Sequence, residues 1–232
     1  MKTVSLRPLM AEFVGTAALL FIVVGVTSAN QAAPGGIGLL GAALAVGLTI
    51  AAFASAFMSI SGGQFNPAVT LGLMAARKLR PVQGMAYILV QLAGACFGAY
   101  GGSVTFNPSL MGNVAAKALP NLAPGYHPAQ GYLVEIVLTF ILMFVIYGTA
   151  VQRGALKKVA GLFIGLTVTL CILTGSHISG AVMNPAVWFG LSSTTGALLT
   201  DRTLTYTVGP IFGALIASCL WAYVLESEED EE

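Results

Sequence analysis

The sequence predicts an all-α membrane protein: six transmembrane helices and two shorter re-entrant half-helices, arranged as an inverted repeat. Three observations carry this. Only 8% of the 232 residues are charged and 56% are hydrophobic, whereas a soluble domain carries about 25% charged residues. Six apolar stretches, 9–29, 36–58, 83–104, 130–150, 159–176 and 204–225, are long enough to cross a hydrocarbon core about 30 Å thick. Finally, SISGGQFNPAVTLG at 59–72 and HISGAVMNPAVWFG at 177–190 are nearly the same stretch twice.

Taken in order, the chain starts with MKTVSLRPLM, a basic flank. The apolar run after it contains Glu12 and is too long for a cleaved signal, so it reads as a retained first span. Gly35 and Gly36 separate it from the second span, which runs straight into the first Asn-Pro-Ala box. Proline is favoured in the first turn of a helix, where its missing N–H would be unpaired anyway, and asparagine is a good N-cap. Asn66-Pro67-Ala68 therefore marks a helix start, as does Asn184-Pro185-Ala186 after the fifth span. A helix from Asn66 to about Ala76 is roughly 16 Å long, about half of the hydrocarbon thickness. Each box thus opens a half-helix that stops near the midplane with its positive end aimed inward.

The basic cluster Arg77, Lys78 and Arg80 suits the negative end of the first half-helix. The long connection 105–129 contains Pro108, Pro120, Pro124, Gly125 and Pro128 and reads as a structured loop without a span of its own. The chain ends in the acidic tail 226–232, which reads either as a solvated end or as a sorting or partner signal. No second domain fits, so residues 1–232 form one unit with repeat halves at about 9–104 and 130–225.

The repeat can be read residue by residue. Ala-Glu-Phe-Val-Gly-Thr at 11–16 parallels Val-Glu-Ile-Val-Leu-Thr at 134–139, while Ile-Ser-Gly recurs at 60–62 and 178–180. Each half has three spans, an odd number, so the second copy lies upside down relative to the first. The half-helix N-termini then meet near the midplane. Basic residues set the orientation. Lys2, Arg7, Arg77, Lys78, Arg80, Arg153, Lys157 and Lys158 fall on the side that holds both termini, leaving Lys117 and Arg202 opposite. Both termini are therefore expected in the cytoplasm.

Two helix N-termini, each carrying roughly half a positive charge, would repel cations where they face each other. The side-chain amides of Asn66 and Asn184 would hold a passing water by its oxygen and turn its hydrogens away, breaking the chain that proton hopping needs. Non-helical backbone before each box is tolerable at this depth only beside a wet cavity. These parts describe a pore for neutral solutes, and nothing in them is an enzyme. A net charge of +1 argues against nucleic acid. Cys96, Cys171 and Cys219 have no metal-ligand spacing and read as reduced core thiols, and no cofactor or metal is implied. His127 and His177 read as plain loop histidines or as pH sensors, and Trp188, Trp221 and Tyr223 as packing or interface aromatics. A carboxylate at depth, as at Glu12 and Glu135, is expensive unless paired and could mark a proton path.

The paired Asn-Pro-Ala boxes, each following Ile-Ser-Gly and leading into Val and a later Gly, resemble the aquaporin (major intrinsic protein) family over about 5–225. The resemblance implies a homotetramer in the lipid bilayer with one pore per subunit, passing water and small neutral solutes such as glycerol, urea, ammonia or peroxide. It makes Glu12 and Glu135 braces for the pore loops. It also places a narrow filter, by counting back from the boxes, at Val46, Ile172, Ala181 and Val187. Most of the family has Arg where this chain has Val187. Within the family, Asn-Pro-Ala-Val-Trp-Phe-Gly is most similar to tonoplast intrinsic proteins, which commonly keep a His where this chain has Val46. A plasma membrane or a vacuolar or acidic-organelle membrane is the implied location. Two other classes stay open at this point: a coupled secondary transporter, which also uses inverted repeats and broken helices, and a junction or scaffold protein with a closed pore.

Overall fold

Apolar runs bounded by glycine, proline and charge become helices, and no strand forms among the described residues. The computed structural model describes residues 4–32, 36–106, 114–152 and 155–225. Lys2, Gly35, Pro108, Arg153 and the acidic tail, on which part of the sequence reading rests, lie outside them. The helices are α1 (Leu6–Ala32), α2 (Gly38–Phe57), α3 (Pro67–Ala75), α4 (Pro81–Phe106), α5 (Val114–Ala118), α6 (Pro128–Ile146), α7 (Ala160–Gly175), α8 (Pro185–Ser193) and α9 (Asp201–Leu220). A π-helical turn extends α6 over Tyr147–Val151, and another extends α9 over Trp221–Leu225.

With those extensions, α1, α2, α4, α6 and α9 are long and apolar enough to cross a membrane. The sixth apolar segment is the 16-residue α7, about 24 Å by its rise. Turn bonds lengthen its C-terminal end: Ser176 N–H donates to Ile172 O, and Ser179 N–H to Gly175 O. The connection after α4 contains the short α5 and then lies against the second box, where Ala123 N–H donates to Ile178 O at 2.9 Å. His127 has a structural place. It caps α6, its Nδ1 accepting from Ala129 N–H at 3.2 Å, while Gln130 closes a capping box. His177 meets the Tyr126 ring edge-on.

The helices pack in a pattern that respects the repeat. α1 lies on α4 as α6 lies on α9; α2 lies on α7; α3 reaches across to α9 as α8 reaches across to α4. Glycine allows the first two contacts. A methyl on Gly98 would collide with the Ala17 carbonyl of α1, and one on Gly213 with the Ile136 carbonyl of α6. Two aliphatic clusters result, one around α3, α6, α7 and α9 and one around α1, α4 and α8, and Val46 and Ile50 of α2 touch both. Large apolar side chains such as Leu40, Leu48, Phe97, Tyr100, Leu133 and Leu170 face outward, as a lipid solvent allows. Trp188 is buried and stacked on Tyr206, and Trp221 stacks on Tyr147. The cysteines are free thiols; Cys171 is buried, but Cys219 is exposed. Cys219 is therefore not a core residue: in a helix that is apolar all round, apolarity alone does not distinguish a lipid-facing position from a core one.

Candidate pore where two half-helices meet

Both half-helices start as their sequences dictate. Asn66 and Asn184 adopt extended backbone just before Pro67 and Pro185, and each side-chain oxygen accepts from the N–H two residues on, Ala68 and Ala186, at 2.9 Å. The amide nitrogens then cross over. Asn66 Nδ2 donates to Met183 O and Asn184 Nδ2 donates to Phe65 O, both at 2.9 Å. The two N-termini are thus in contact, 117 and 119 residues apart in sequence. Sequence reasoning left both N–H groups of each amide free. The crossed bonds use one and leave one.

The loops entering the boxes are held in unusual backbone. Phe65, Ala181 and Met183 have φ of 49°, 52° and 52°, a left-handed conformation that costs non-glycine residues roughly 1–3 kcal/mol each. Two buried carboxylates hold this conformation. Glu12 of α1 accepts from Ser61 Oγ at 2.5 Å, Gln64 N–H at 3.1 Å and Phe65 N–H at 2.7 Å. Glu135 of α6 accepts from Ser179 Oγ at 2.7 Å, Val182 N–H at 2.9 Å and Met183 N–H at 2.7 Å. With the backbone N–H groups spent on the carboxylates, the carbonyls of residues 62–64 and 180–182 have no hydrogen-bond partner among the described residues. Of these residues Gly63 and Ala181 are buried, and buried carbonyls need partners. These six residues line a cavity.

That cavity encloses about 340 Å³, room for about ten waters at about 30 Å³ each. Asn66 and Asn184 line it, each less than a tenth exposed. It reaches Thr27 and Asn30 at the end of α1 in one direction and Ala150 and Val151 after α6 in the other. Val46, Ile172, Ala181 and Val187 line the same cavity. Pro67, Ala68, Pro185 and Ala186 are buried behind it in the half-helices. Most of the remaining wall is aliphatic. Gln64, Thr27 and Asn30 are polar wall residues that sequence reasoning did not single out. Gln64 had a local signal, a polar residue inside the first box where the second has Val182.

No group of three or more His, Cys, Asp or Glu side chains that could hold a metal occurs among the described residues. The cavity wall therefore combines the amides of Asn66 and Asn184, loop residues with partnerless carbonyls and a largely aliphatic remainder.

The family described as Major intrinsic protein matches residues 1–221. The chain is 37% identical over 238 residues to Aquaporin AqpM of Methanothermobacter marburgensis, covering 93% of this chain and 96% of that protein. It is 36% identical over 219 residues to Aquaporin NIP1-1 of Oryza sativa subsp. japonica, covering 94% and 73%. Among solved structures, the fold is similar to that of the aquaglyceroporin from Plasmodium falciparum, with a TM-score of 0.82 at 21% identity, covering 94% of this chain and 96% of that one.

Proposed function

This chain belongs to the major intrinsic protein family, as an integral membrane channel that passes water and small solutes passively, and from that premise we propose how its pore selects. Water and small neutral solutes, including urea and glycerol, pass down their gradients, while protons and ions are held back at Asn66 and Asn184. The observation that carries this is the crossed pair of bonds by which each amide donates to the carbonyl preceding the other asparagine, beside a cavity whose loop residues have partnerless carbonyls. A permeant oxygen at that point meets the remaining N–H of each amide and the positive ends of two helices. A water held so cannot relay a proton through.

Val46, Ile172, Val187 and the Ala181 carbonyl form the selectivity filter in this reading. With no charged side chain there, the filter lacks a cation barrier and the donors that would fix one water, so polar solutes larger than water lose an obstacle. The family relatives, one from an archaeon and one from a plant, leave the tonoplast-like subtype resting on the second box. Glu12 and Glu135 act as braces, because every hydrogen bond their carboxylates accept comes from a pore loop or from its support. Residues 1–232 work as one channel domain of two inverted halves. Both termini lie in the cytoplasm, the assembly is a homotetramer, and the membrane is the plasma membrane or that of a vacuole or acidic organelle.

The test is stopped-flow light scattering of proteoliposomes, comparing water, urea and glycerol in one preparation. Vesicles that shrink faster than empty ones, with solute flux that does not saturate, support the reading. Swelling no faster than empty vesicles, or flux that requires a pH gradient, contradicts it.

A further inference from the structure

The two halves of the pore brace their loops alike, but only one carries a polar chain behind its brace. In the first half, the fully buried Gln91 of α4 spends both hydrogens of its Nε2, one on Glu12 Oε2 at 2.9 Å and one on Thr70 Oγ1 at 3.0 Å. A carboxylate only accepts, and Glu12 Oε2 also takes the Phe65 N–H, so the Gln91 amide has one favourable orientation. Thr70, also fully buried, has a single hydroxyl hydrogen. Its shortest contact is Gln64 Oε1 at 2.7 Å, against 3.1 Å to Asn66 O and 3.4 Å to Gln91 Oε1. The direction of donation is thus set from Gln91 to Thr70 to Gln64. Gln64 Oε1 is occupied as an acceptor, and Gln64 Nε2, a donor only, has no partner among the described residues. Gln64 is half-buried and lines the cavity, with Nε2 beside Gly62, another wall residue.

The second half has none of this. In the register of the boxes, Val182 stands for Gln64 and Trp188 for Thr70. In the register of the close glycines Gly94 and Gly213, Pro210 stands for Gln91. Val182 offers no donor, and Trp188 Nε1 is buried without a partner. The brace is common to both halves, whereas the relay is peculiar to one and ends in the pore.

We propose that Gln64 is a further specificity-determining residue, a fixed hydrogen-bond donor that takes the oxygen of a permeating water or solute beside the Asn66–Asn184 contact, with Gln91 and Thr70 as positioning residues that turn its amide into the channel. This rests on the channel reading above. It makes the pore functionally asymmetric, with a donor station on the α3 side of the centre and an aliphatic surface at Val182 on the other.

The test compares Gln64→Met, which keeps the length and removes the donor, with Thr70→Val and Thr70→Ser. Each is reconstituted into vesicles, the protein per vesicle is measured, and water permeability per channel is read by stopped-flow at several temperatures. Gln64→Met lowers the per-channel rate about two- to tenfold, the factor set by one hydrogen bond of ordinary net strength, and steepens its temperature dependence. Thr70→Val, which touches no permeant, gives a smaller loss, and Thr70→Ser restores the wild-type rate. A role in folding alone would lower the amount of assembled protein and leave the per-channel rate unchanged. Wild-type rate and temperature dependence in Gln64→Met overturn the proposal, as does equality of the two Thr70 variants if Gln64→Met does not assemble. If the wild-type protein itself conducts no water, the channel reading fails; if it conducts and Gln64→Met equals it, only the donor station fails.

Discussion

Removing the Glu135 carboxylate is the sharpest test of how the second pore loop is held. Its two oxygens take the Ser179 hydroxyl and the Val182 and Met183 N–H groups, at 2.7, 2.9 and 2.7 Å. Alanine leaves two backbone N–H groups buried without partners, at about 1–3 kcal/mol each. Ser179 Oγ is also the acceptor for Ala181 N–H, so its orientation is disturbed as well. A total of about 3–6 kcal/mol follows, a large share of a domain stability of about 5–15 kcal/mol. Glutamine keeps one acceptor oxygen and sets its NH₂ against a backbone donor, which costs about 1–3 kcal/mol. For a chain of this size each kcal/mol lowers the melting temperature by about 2–4 °C, so Glu135→Gln should fall by about 2–12 °C and Glu135→Ala by about 6–24 °C. Freed of these bonds, Ala181 and Met183 leave their left-handed conformations and take Asn184 with them, so Glu135→Ala should also lose water permeability. The assay is thermal unfolding of the purified protein in detergent, paired with vesicle shrinkage. A Glu135→Ala variant that melts within about 2 °C of wild type, less than about 1 kcal/mol, and still conducts water would refute the bracing role.

Other substitutions probe the remaining parts. Val187→Arg, at a cavity-lining position, should cut urea and glycerol flux in vesicles while sparing water; unchanged solute flux places Val187 away from the constriction. Asn184→Asp replaces the donor to Phe65 O with an acceptor and adds negative charge at the centre. A dye-loaded vesicle should then show faster cation or proton entry, and no change would remove the amide from the barrier. Gly98→Val forces a side chain against the Ala17 carbonyl and should destabilise the α1–α4 contact by about 1–3 kcal/mol, read as a lower melting temperature and yield. His127→Ala removes the α6 cap and should cost about 0.5–2 kcal/mol without altering permeability per channel.

Much of this was legible because it is local. Asn-Pro in a polar turn predicts a capped helix start from backbone chemistry alone, and Pro67–Ala75 and Pro185–Ser193 begin where those residues place them. Long apolar runs give spans to within a few residues, since no other arrangement satisfies their backbone in lipid. The start of α6 at Pro128 was not read: hydropathy placed it at 130, and its capping box uses His127, a residue type outside the usual N-cap set. What sequence did not show depends on side chains far apart in the chain. Gln91 meets Glu12 across 79 positions, and nothing near Gln91 separates it from an ordinary polar residue on a helix. The crossed bonds of Asn66 and Asn184 depend on two loops meeting, and that required the repeat to be folded. The π turn after α9 has no proline or glycine, and Gly148 in the turn after α6 does not by itself predict one; the two turns meet where Tyr147 stacks on Trp221.

One preparation can measure the central claim directly: osmotic water permeability and proton permeability of the same proteoliposomes, wild type against empty vesicles. The paired amides predict water flux well above the empty control, together with proton flux indistinguishable from it. Water flux at the empty-vesicle level, or protons crossing along with the water, would contradict them.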